Sequence, residues 1–138
     1  MNTLAGVFKT LADETRLRLV HLFLRSSESL CVCELVDALG LPQYQVSRHL
    51  SALKAAGLVQ ASRKGTWAYH QLEDDSPLTH ALWTFLRKAP LDKASQEQLQ
   101  QDYQALTHRL ALRSNGTCVV GLTPNTLKDP IPKGDTFT

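Results

Sequence analysis

The sequence predicts a mainly α-helical domain with one small β-hairpin, and three observations carry that reading. Apolar residues recur at helical spacing from Leu4 to Ala56 and again beyond Pro77. Within the first run, two short helical stretches are separated only by Gly40-Leu41-Pro42. Directly after them the period changes from helical to alternating, around a Lys64-Gly65 turn. Helix, turn, helix and hairpin in that order describe a winged helix-turn-helix, a module that lays its second helix in the DNA major groove.

Each element has a local cause. Leu4–Ala12 forms a short helix with Leu4, Val7, Phe8 and Leu11 on one face. Asp13 caps the next helix, Arg16–Leu24, whose Leu17, Val20 and Leu24 share a face. Ser26–Ser29 interrupts the pattern, and Cys33–Leu39 makes a third helix closed by Gly40. Pro42 sits in the first turn of a fourth, which runs to Ala56 and stops at Gly57. Leu58–Arg63 and Thr66–Leu72 are the strands, with Trp67, Tyr69 and Gln71 alternating against Ala68, His70 and Leu72. Pro77–Leu86 is a fifth helix. Asp92–Arg113 is a long polar sixth, with Leu99, Tyr103, Leu106 and Leu110 as an apolar stripe expected to pack on a dimer. Ser114–Thr138 holds three Gly and three Pro without a period and reads as a mobile or loosely docked tail.

The 138 residues suffice for one domain with a core, hardly for two. A net charge of +2 says little about partners, but its distribution does. Gln43–Leu72 contains Arg48, Lys54, Arg63 and Lys64 and no Asp or Glu, which suits a face for a polyanion as well as a plain solvated helix face. No apolar run approaches membrane-spanning length, and the first residues lack the pattern of a secretory signal. A cytoplasmic protein is expected, with its three cysteines as reduced thiols. Asn115-Gly116-Thr117 matches a glycosylation triplet but reads as a turn. His21, His49, His70, His80 and His108 show no triad or metal-ligand spacing, so no enzyme is expected.

In the fourth helix Val46, Leu50 and Leu53 fall in one narrow arc, while Tyr44, Ser47, Arg48 and Ser51 fall opposite. The outward set suits double-stranded DNA: Arg48 for a guanine edge or phosphate, hydroxyls for either. Gln43 and Gln45 sit in the first turn, where helix amides also meet phosphate. His49 lies near the apolar side, open to packing or to base contact. Lys54 follows on the same helix, and Arg63 and Lys64 crown the hairpin. Trp67 and Tyr69 read as packing residues of the small sheet.

Cys31 and Cys33 begin the first helix of this unit, in Leu30-Cys31-Val32-Cys33-Glu34-Leu35. Thiols at i and i+2 diverge on a regular helix, so joint chelation needs an extended Cys31 or an unwound first turn. A soft ion joining the two sulfurs would then deform the support of the recognition helix. The helix start favours thiolates over thiols. Glu34 reads as a helix-start acid.

The stretches LADETRLRLVHLF, CVCELVDALGLPQYQVSRHLSALKAAGLV and RKGTWAYHQL resemble the ArsR/SmtB bacterial metal-responsive repressors, over about Leu4 to Leu86. The resemblance implies a homodimer that binds a palindromic operator and releases it on binding an inducer. It places dimerisation on the first and fifth helices, where Leu4, Val7, Phe8, Leu11, Leu78, Leu82, Trp83, Phe85 and Leu86 are apolar. The expected organisation is a DNA-binding and dimerisation domain over 1–89, a C-terminal helix over 90–113 and a flexible tail over 114–138. The CVC pair resembles the arsenic-responsive branch, in which three thiolates bind As(III) or Sb(III). That branch has its third cysteine where this chain has Val36, which leaves Cys118 as third ligand, to the pair of its own chain or of a partner chain, or as a bystander thiol. The Cd(II)- and Pb(II)-responsive branch also uses a CVC pair but adds cysteines from an N-terminal arm, and only Met1–Thr3 precede the first helix here. The zinc site of other relatives needs paired ligands on the dimerisation helix, where His80 stands without a second histidine. A thiol-redox sensor using Cys31, Cys33 and Cys118 is the alternative from another class.

Overall fold

The structure, a computed structural model, describes residues 2–118 and residue 121. Six helices and three strands follow in the order α1 (Asn2–Leu11), α2 (Glu14–Ser26), β1 (Leu30–Cys31), α3 (Val32–Leu39), α4 (Gln43–Ala55), β2 (Val59–Lys64), β3 (Trp67–Leu72), α5 (Pro77–Lys88) and α6 (Lys93–Leu110). Local chemistry sets the boundaries. The Asp13 carboxylate accepts from the Arg16 amide, the Ser76 hydroxyl from Thr79, and Asp92 from Ser95, each capping a helix start. Gly40 closes α3 at φ 68°, a left-handed conformation that glycine adopts without a Cβ penalty.

The core lies between α2, α3 and α4. Leu19, Val20, Leu22, Leu35, Val36, Val46, Leu50 and Leu53 are buried there, as the arc of apolar positions on α4 predicts. The helix-turn-helix and hairpin stand as expected. The two-residue hairpin loop is Gly65-Thr66, one position later than the sequence suggests, because Lys64 still pairs with Trp67. No helix among the described residues is long and apolar enough to cross a membrane.

Four expectations need correction. A two-residue strand, β1, pairs antiparallel with β3, putting β3 at the centre of a three-stranded sheet. The alternation expected along β3 therefore fails: Tyr69 and His70 are both buried. Second, the expected dimerisation set divides. Val7, Leu11, Leu82 and Trp83 are buried in the chain's own core, with Leu86 packed against it, whereas Leu4, Phe8, Leu78 and Phe85 are exposed. Third, α6 packs on α2 and α3 of its own chain rather than awaiting a partner. Leu99 and Leu106 are buried, Arg18 grips Asp102 at 2.8 and 2.9 Å, and Arg109 donates to Asp37 at 2.6 Å. Fourth, the chain does not loosen at Ser114. Ser114 and Thr117 exchange backbone hydrogen bonds across a turn with Asn115 and Gly116 at positive φ, and Cys118 beyond it is buried. The rest of the expected tail, apart from residue 121, lies outside the described residues.

Candidate metal centre and nucleic-acid interface

Cys31 ends β1 in extended backbone, φ −80° and ψ 156°, and is the N-cap of α3. Cys33 sits in the first helical turn. The extended Cys31 is one of the two geometries that let sulfurs at i and i+2 converge. Cys118 arrives from the turn that follows α6. The three sulfurs lie within 4.8 Å of one another, with Cys33 Sγ and Cys118 Sγ at 3.5 Å. All three residues are buried.

Polar groups around the sulfurs hold that arrangement. The fully buried Glu34 carboxylate accepts from the Cys31 amide at 3.0 Å and takes a two-pronged grip from Arg113, Nε and Nη2 each at 2.7 Å. Arg113 also donates to the Ser29 carbonyl at 2.7 Å, so it staples the end of α6 to both sides of β1. The Cys118 amide donates to Tyr69 Oη at 2.8 Å. Arg109, paired with Asp37, donates to the Gly121 carbonyl at 2.9 Å. Sequence reasoning missed the roles of Arg109 and Arg113. The signal was present in the spacing: two arginines four apart, one in the last turn of α6 and one just beyond it, match two acids three apart on α3.

The thiols are not the helix-activated thiolates that a helix start suggests. Contact with Cys118 and Cys33, burial and the Glu34 carboxylate all push Cys31 above the ordinary thiol range. Contact with Cys118, reinforced by burial and opposed by Cys31, pushes Cys33 up to about 12. Cys31 and Cys33 are therefore held as thiols at neutral pH. The donor set fits a soft ion. A metal–sulfur bond of about 2.3 Å at tetrahedral angles would set sulfurs about 3.8 Å apart, so seating an ion changes no pair by more than about 1 Å and slightly opens the Cys33–Cys118 pair. No His, Asp or Glu donor joins the cluster among the described residues. Three-coordinate binding is thus better served than the four-coordinate binding zinc prefers. His80, 3.6 Å from Asp74 and exposed, stands apart from it.

The expected DNA-reading residues separate by exposure. On α4, Tyr44, Arg48, Ser51 and Lys54 are exposed and Gln43, Gln45 and Ser47 half-buried. On the hairpin, Arg63 and Lys64 are exposed. The exposed residues carry the expected chemistry on both elements. His49 does not join them. It is buried, and its Nδ1 accepts from Arg16 Nε at 3.2 Å, so it packs α4 on α2. Tyr69 is likewise buried, and the Lys64 ammonium lies 5.5 Å from its ring centroid.

The chain matches the family described as "Bacterial regulatory protein, arsR family" over residues 13–61, a stretch that contains α2, Cys31, Cys33 and α4 but not Cys118. It is 44% identical over 96 residues to the arsenic resistance transcriptional regulator ArsR1 of Pseudomonas putida, covering 70% of this chain and 71% of that protein. It is 44% identical over 71 residues to the arsenical resistance operon repressor of Escherichia coli, covering 51% of this chain and 60% of that one. The cadmium resistance transcriptional regulatory protein CadC of Listeria innocua is 33% identical over 72 residues, covering 52% and 60% respectively. The helix-turn-helix with its exposed basic hairpin and these likenesses agree: the chain belongs to the arsR family of bacterial regulatory proteins and is a DNA-binding transcriptional regulator rather than an enzyme.

Proposed function

We propose that this chain is a homodimeric repressor that leaves its operator when As(III) or Sb(III) binds Cys31, Cys33 and Cys118. One observation carries the reading: three buried sulfurs converge within 4.8 Å at the start of α3, the helix that supports α4. Drawing them onto one ion strains α3 against α4, the helix that enters the groove. The exposed Leu4, Phe8, Leu78 and Phe85 supply apolar surface for the two-fold contact. A dimer sets two recognition helices about one DNA turn, roughly 34–36 Å, apart.

Charge favours a trivalent ligand over Cd(II) or Pb(II), the alternative supported by the likeness to the cadmium regulator. Three thiolates neutralise a trivalent ion but leave a divalent one with a net negative charge. Arg113 and Arg109 lie beside the sulfurs, but each is paired with a carboxylate, Glu34 and Asp37, and offsets an added negative charge only in part. Burying an anion there is costly. Arsenous acid enters as neutral As(OH)3: three As–S bonds form, and three hydroxides leave as water with the three thiol protons. A divalent cation must instead expel those protons into solvent.

The test is titration of arsenite, antimonite, Cd(II) and Pb(II) into the protein–operator complex. Arsenite or antimonite should release DNA at one ion per chain, without net proton uptake or release. Cys31→Ser, Cys33→Ser and Cys118→Ser should bind operator and resist release. Retention of operator at saturating arsenite rejects the reading. Release by oxidant alone, with a Cys33–Cys118 disulfide and no metalloid effect, would instead favour a redox sensor.

A further inference from the structure

Tyr69 touches both the thiol cluster and the hairpin. Its Cα is the ladder partner of Cys31 across β1 and β3. Its hydroxyl accepts the Cys118 amide at 2.8 Å. Two of the three thiol residues therefore bear on this one side chain. Its ring, in turn, carries two cations: the Arg113 guanidinium 5.6 Å and the Lys64 ammonium 5.5 Å from the centroid. Lys64 ends β2 at the tip of the hairpin, opposite Trp67 and exposed.

We infer that Tyr69 is the positioning residue through which ion binding at the thiols reaches the DNA-contacting hairpin. This rests on the reading of the thiols as the inducer site. Cys31 and Cys33 are anchored in β1 and α3, whereas Cys118 hangs from the turn after α6, so the readjustment of the sulfurs around an ion falls mainly on Cys118. Its amide carries that movement to the Tyr69 hydroxyl. The ring shifts with the hydroxyl, and Lys64, stacked on the ring, loses the position that suits the DNA backbone. Arg113 stays fixed by Glu34 and Ser29, so the ring moves against a stationary cation on one side and a mobile one on the other. Coupling of this kind is a free energy shared by the two ligands, so it must appear in both directions.

The test compares wild type with Tyr69→Phe in the full chain, which removes the hydroxyl and keeps the stacked ring. Operator affinity without metalloid should stay within about threefold of wild type. The arsenite-induced loss of operator affinity should shrink at least tenfold, and so should the operator-induced loss of arsenite affinity. In a Trp83→Phe background, where Trp67 is the sole tryptophan, emission should respond to arsenite with Tyr69 present and not with Tyr69→Phe, although arsenite still binds. A bulk packing role for Tyr69 would not produce that split. Equal release of wild type and Tyr69→Phe overturns this inference and leaves the inducer reading intact. Failure of wild type to bind arsenite or to release DNA overturns both. Should Tyr69→Phe fail to fold, Lys64→Met at the exposed tip decides the matter. It should bind operator more weakly yet lose the larger part of its arsenite response, and an undiminished response overturns the inference.

Discussion

Removing Arg113, which follows α6, should be among the most damaging single changes near the thiol cluster. Glu34 has 0% exposure and three hydrogen-bond donors, the Cys31 amide and two arms of Arg113. Arg113→Ala leaves that carboxylate buried with one donor. Breaking a buried pair from one side costs about 3–5 kcal/mol, because the remaining charge is uncompensated. For a domain of this size each kcal/mol lowers the melting temperature by roughly 3–6 °C, so the midpoint should fall by about 9–30 °C. Thermal and urea unfolding followed by circular dichroism, at one fixed protein concentration, measures it. Adding Glu34→Gln removes the stranded charge and should recover about 2 kcal/mol or more of the loss. A loss under about 1 kcal/mol is what a solvent-exposed pair gives and would refute the reasoning, as would a double variant no better than Arg113→Ala. The same substitution undoes the staple between α6 and β1, so arsenite affinity should fall more than operator affinity.

Other consequences follow from the same geometry. Arg48→Ala should weaken specific operator binding by about 1–3 kcal/mol if the guanidinium reads a guanine edge. A loss shared by all sequences, with the salt slope reduced by about one, would assign Arg48 to phosphate. Burial holds His70 at a pKa of about 4, below its ordinary value, so the folded state favours neutral imidazole. The stability this supplies is full above neutral pH and is lost as pH falls through the unfolded value toward 4; between pH 7 and 5 the loss is about 2 kcal/mol. His70→Leu should flatten that part of the stability–pH curve, and an unchanged curve would show that His70 titrates normally. Phe8→Glu or Phe85→Glu should weaken self-association at least tenfold in sedimentation equilibrium, since each buried Phe contributes about 1.5–3 kcal/mol. Unchanged sedimentation would move the dimer contact elsewhere.

Much of the fold is local and therefore legible in the chain. Asp13, Gly40 and Gly57 mark helix ends by backbone chemistry that acts within one turn. The apolar arc of Val46, Leu50 and Leu53 places α4 on the core and leaves Tyr44, Arg48 and Ser51 outside. His49 sits at the edge of that arc, and periodicity cannot decide an edge position. The contact that decided it, Arg16 Nε at 3.2 Å, comes from a residue 33 positions away.

The amino-acid sequence by itself determined the helix-turn-helix, the basic hairpin and the pair Cys31 and Cys33, because each is set by neighbours within a few residues. Only the tertiary structure decided whether Cys118 meets that pair. Its place depends on the Arg109–Asp37 and Arg113–Glu34 bonds between α6 and α3, which span 72 and 79 residues. The two-residue β1 was invisible for the same reason. It has too few residues for a period, and it exists because β3 offers it a ladder and Arg113 binds the Ser29 carbonyl just before it. Arg109 on a polar helix looks solvated in sequence and Glu34 looks like a helix-start acid, and it took the folded chain to bury both around three sulfurs.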